Sequence, residues 1–147
     1  MDLLKYGAAA VLVAALAGSL LLRDEQPATV AQLPLPALCG DVAEDHGGSA
    51  MQEHIDLMAA TADVPHAALL QTMEPMHSDM MRGMTAAGID AAFVCSMVPH
   101  HQGAVAMAQV ALDHSQDPWI KMFAQEILTA QQAEIAEMRA WLTRHSP

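Results

Sequence analysis

Aromatic residues are scarce in this chain: two Trp, two Phe and one Tyr among 147 residues. Without them a core must be filled by aliphatic side chains and by methionine, of which there are twelve. Basic residues are also few, six against seventeen acidic ones, for a formal net charge of −11. No basic face is available to neutralise phosphates, which argues against nucleic acid as a partner. The acidic surface serves solubility and raises the local concentration of cations. Between residues 49 and 145 the period-two alternation and β-branched richness of a sheet are missing, so a β fold is not expected. No Ser or Cys stands in a recognisable nucleophile context, and a hydrolase is not expected either.

What is present begins with an uncharged apolar run over residues 6–22, preceded by Lys5 and followed by Arg23, Asp24 and Glu25. Residues 1–22 read as a signal peptide or a membrane anchor. Ala15-Leu16-Ala17 offers a small-x-small cleavage site, but the run continues past it at the lower end of spanning length, so both readings stand. The flanking charges place the N-terminus inside and the remainder outside the cytoplasm. The expected location is therefore periplasmic or extracytoplasmic, either secreted or held at the inner membrane by residues 6–22, with no other membrane contact. Two cysteines exported to an oxidising compartment can pair. Cys39 and Cys95 are expected to form a disulfide, a free buried thiol or an extra ligand.

Residues 23–48 carry Pro27, Pro34, Pro36, Gly40, Gly47 and Gly48 among polar residues, the composition of a flexible linker. Residues 49–147 then form a helical domain. Met51, Ile55, Met58 and Ala59 recur at helical spacing and predict a short first helix over 49–61. Residues 67–87 are helical in pattern, with Glu74-Pro75 expected to kink or split them. Gly88 ends that segment, and Asp90 is expected to cap a third helix through about Asp113 with Pro99 inside it. Asp117-Pro118, a cap followed by proline at the first helical position, starts a fourth helix that runs almost to the end. Short connections make this an all-α antiparallel four-helix bundle.

The segment Met97-Val98-Pro99-His100-His101-Gln102 concentrates two imidazoles and a thioether on an otherwise apolar helix. Phe93, Met97, His100, Ala104 and Met107 form one stripe, with His101 close beside it. On the preceding helix Met73, His77, Met80 and Met84 form another, bordered by Met76. Gly103, Ala104 and Ala106 keep the third helix slim, so the two helices can approach closely enough to share ligands. Thioether sulfur prefers Cu(I) and imidazole serves both copper oxidation states. Zinc is less favoured, because its usual ligands are Cys, His and carboxylate. His77, His100 and His101 are the expected primary donors, Met76, Met80, Met97 and Met107 supply sulfur, and Met138 closes the site. Gln131 and Glu134 are either partners of a neighbouring histidine or surface-edge residues. His46, His66, His114 and His145 fall at loops or helix ends, and Met51, His54 and Met58 repeat the theme weakly on the first helix.

Several motifs, taken together, resemble the domain-of-unknown-function family 305. They are Met76-His77-x-x-Met80; Asp90-x-x-Phe93-x-x-x-Met97-x-Pro99-His100-His101-Gln102-Gly103-Ala104-x-x-Met107-Ala108; Asp117-Pro118; and Gln131-x-x-Glu134-Ile135-x-x-Met138-x-x-Trp141-Leu142. The family's usual isoleucine after the motif methionine is Val98 here. The resemblance implies a ferritin-like four-helix bundle, an extracytoplasmic location, and copper binding by Met and His side chains for tolerance or transfer. The expected function is that of a non-enzymatic copper-binding protein that sequesters copper or hands it to another copper-handling protein. Two rival readings stand beside it. One is a metal-independent bundle whose Met-rich face receives another protein. The other is a ferritin-like di-iron protein: Glu74-x-x-His77 fits one of its ligand pairs, but the matching position before His100 is Met97 and not Glu.

Overall fold

The computed structural model describes residues 34–40 and 48–146. The apolar leader and His46 lie outside the described residues. A 3-10 turn, Ala37–Cys39, precedes five helices: α1 (Gly48–Ala59), α2 (Val64–Gln71), α3 (Met73–Met84), α4 (Ile89–His114) and α5 (Pro118–His145). No strand occurs among the described residues, as the lack of alternation required.

The fifth helix arises where a break was expected, a little earlier in the chain. Thr72 ends α2 and precedes α3 with dihedrals of −73° and −16°, still in the helical region, so the two make one bent rod. Its hydroxyl donates to the Leu69 carbonyl at 2.7 Å, diverting the ladder there. Pro75 then falls in the first turn of α3, where its missing N–H would have had no intrahelical acceptor. Gly88, with φ of 84°, occupies the position before α4, and Asp90 stands inside the first turn without capping it. That corrects the expected start. Asp117 does cap α5, accepting from the backbone N–H of Trp119 at 2.7 Å and of Ile120 at 3.3 Å.

Helix α4 is the centre of the bundle, packed between α3 and α5, while α1 folds back on α2 and α3. The core is the cluster Cys39, Cys95, Val98, Ile135 and Leu142. Leu35 and Leu38 pack against it, so residues 34–40 are not the flexible linker that their prolines and glycine suggested. They form a strap held at three points. Cys39 is bonded to Cys95 across a Cα–Cα distance of 5.4 Å, Arg139 Nη1 donates to the Pro34 carbonyl at 3.0 Å, and Gly40 turns with φ of 89° beside Arg82 and Thr85. Proline and glycine here shape an ordered turn, and the two leucines supply the burial that keeps it in place.

The disulfide closes a loop between residues 56 positions apart. Chain entropy for a loop of that length is worth about 4 kcal/mol, and removal of native bridges commonly costs about 2–5 kcal/mol. Replacing both cysteines with alanine is expected to lower the thermal midpoint while leaving helix content at low temperature intact. Circular dichroism melts of the variant, and of the wild type with and without a dithiol reductant, check this; the reduced wild type should match the variant.

Candidate metal site

At about 100° per residue, α4 presents three arcs. Cys95, Pro99 and Gly103 face α3; Val94, Val98, His101 and Val105 face α5; and Phe93, Met97, His100, Ala104 and Met107 lie along the arc between. The last stripe is the one read from the sequence, and it is the most open face of the helix. Phe93 is 60% exposed, Met107 is 42% exposed, His100 is exposed, and Met97 and Ala104 are half-buried.

Two glycines set the approach of α3. A Cβ on Gly83 would lie 2.5 Å from the backbone carbonyl of Cys95, and one on Gly103 would overlap the sulfur of Met76. These contacts fix an antiparallel register in which Met80 falls level with Pro99 and His77 with Gln102. The inward residue of the α3 stripe is therefore Met76. Met73 and Met84, expected on that inner stripe, are 38% and 52% exposed. The apolar spacing fits either arc, and the glycine contacts decide between them. His77 and Met80 are half-buried on the same rod.

His101 is buried and bonded at both ring nitrogens. Nδ1 donates to the Met97 carbonyl oxygen one turn back at 2.8 Å, and Nε2 lies 2.6 Å from Glu134 Oε2 on α5. Glu134 is thus a histidine partner and not merely an edge residue. The exposed His100 ring meets the His101 ring edge-on, with centroids 5.7 Å apart. Met138, expected to close the site, is half-buried and packs against the Val98, Ile135 and Leu142 cluster.

The remaining histidines stay apart from this region. His54 is exposed on α1. His66 bonds Asp63 at the start of α2, and hydrogen bonds from its ring and its backbone N–H hold the Asp63 carboxyl below the usual carboxylate range. His145 donates to the Trp141 carbonyl and stacks on the Trp141 ring. Among the described residues no three His, Cys, Asp or Glu side chains are grouped to hold an ion. A metal bound between α3 and α4 therefore has to draw on the thioethers of Met76, Met80 and Met97 with the imidazoles. That donor mixture suits copper.

The family model for the domain of unknown function DUF305 matches residues 20–145. The chain belongs to DUF305. A relative in Acanthamoeba polyphaga mimivirus, an uncharacterized protein, is 38% identical over 53 residues, which is 36% of this chain and 35% of that protein. The match thus spans about a third of the relative's length.

The two glycines of this DUF305 chain separate packing from site geometry. Gly83→Ala meets backbone that cannot yield and is expected to destabilise by about 2–3 kcal/mol. Gly103→Ala meets a flexible side chain, so it should cost no more than about 1 kcal/mol while displacing the Met76 thioether. Urea unfolding of both variants checks the order; equal losses would contradict the assignment of Met76 as the side chain that yields.

Proposed function

We propose that this DUF305 protein is an extracytoplasmic copper-binding protein, not an enzyme, that sequesters copper or hands it to another copper-handling protein. The observation that carries the reading is the glycine-set register, which brings Met76, His77 and Met80 of α3 level with the part of α4 that bears His100 and His101. Soft thioethers and borderline imidazoles on facing helices form a donor set for Cu(I), and the imidazoles extend it to Cu(II). His100, exposed on the open arc, is the first donor an incoming ion meets. Weakly held, exchangeable thioethers suit transfer as well as storage.

The ferritin-like arrangement belongs to the same proposal, supported by antiparallel rods with chemistry-bearing side chains between them. So does the extracytoplasmic location. It is supported by the leader's flanking charges and by the Cys39–Cys95 bond, since disulfides persist in oxidising compartments. No helix among the described residues is long and apolar enough to cross a membrane, so in this reading any attachment runs through residues 6–22.

A second reading draws on the exposure of Phe93 and Met107. The open arc of α4 would then receive a protein partner without metal. Titration of the purified full chain with Cu(I) and with Cu(II), against competing chelators, separates the two. The copper reading expects tight Cu(I) binding that weakens at least tenfold when His100 and His101 are both changed to Gln, with helix content retained; losses of about 10–100-fold are typical even for partners of metal ligands. Absence of binding in both oxidation states would sink the copper reading and leave the docking face.

A further inference from the structure

His101 has one nitrogen with which to bind anything, and that nitrogen is occupied. A carbonyl oxygen only accepts, so the 2.8 Å contact with Met97 places a proton on Nδ1 and leaves Nε2 as the nitrogen that can face an ion. Nε2 is the atom that Glu134 Oε2 holds at 2.6 Å. The partners differ in freedom: the His101 side chain is 11% exposed and the Glu134 side chain 55%. The imidazole is fixed by its own helix and by the α4–α5 interface, whereas the carboxylate has room to move toward solvent. An ion that binds His101 Nε2 must take the place of this contact with the carboxylate.

We infer that Glu134 is itself a ligand for the oxidised ion, which takes the place of the proton shared between Glu134 Oε2 and His101 Nε2, that proton leaving to solvent as the ion enters. The inference rests on the copper reading above and adds to it a dependence on oxidation state. Cu(II) favours nitrogen and oxygen donors, so it is held between His101 Nε2 and the Glu134 carboxylate. Cu(I) favours sulfur and imidazole and low coordination, so it uses the α3 and α4 thioethers with imidazole and does not take up the carboxylate. Glu134 thereby makes the site discriminate between two states of one ion. Neither the thioethers nor the histidines achieve this alone, because the thioethers serve Cu(I) and imidazole serves both.

The test compares Glu134→Gln and Glu134→Ala with wild type, all as full chains, by chelator competition in each oxidation state and by electron paramagnetic resonance of the Cu(II) form. Glu134 is on an exposed face, so both variants should keep the wild-type circular dichroism spectrum. The expected result is a Cu(II) affinity reduced by about 10–100-fold with an altered resonance spectrum, and a Cu(I) affinity within about threefold of wild type. Equal losses in both states, or an unchanged Cu(II) affinity and spectrum, would overturn the inference. Wild type that binds Cu(I) but not Cu(II) would overturn it too and leave the copper reading standing. Wild type that binds neither ion removes both.

Discussion

Helices α3 and α4 meet at two points where one of the pair is a glycine with no side chain. Gly83 admits the backbone of Cys95 and Ser96, and Gly103 admits Met76. Two such contacts, one on each helix, fix depth and register together, because sliding one rod against the other would bring a side chain against a backbone. What is proposed about the thioether donors follows from that register. It sets Met80 level with Pro99 and His77 level with Gln102, and turns Met73 and Met84 toward solvent.

Much of the architecture was legible in the residues themselves. Asp117-Pro118 marks the start of α5 because the carboxylate accepts from free N–H groups and proline needs no acceptor at that position. The break between α2 and α3 was visible in Glu74-Pro75, although Thr72 relocates it by offering its own hydroxyl to the ladder. The all-α character followed from periodicity alone. The strap did not. Residues 34–40 have linker composition, and their packing depends on where two leucines and one cysteine land once α4 and α5 are assembled. Short-range patterns hold no record of such long-range burial.

The site was legible in residue type more than in orientation. A helix with small residues on several sides can bury any of them, so spacing named the stripes without saying which faced inward. Met138 illustrates the difference. Its place in the motif suggested a ligand, and the structure packs it against the cluster of Val98, Ile135 and Leu142, a contact that its spacing did not announce. Glu134 illustrates the converse: half-exposed on α5, it gains its meaning from a buried ring on another helix, 33 positions away in sequence.

The strap and the open arc lie on opposite sides of α4. Cys95 carries the strap, and Phe93, Met97, His100 and Met107 look the other way. The molecule therefore has a front and a back, with the covalent fastening on one and the exchangeable chemistry on the other. Side chains at the front can shift without disturbing the bond that anchors the strap.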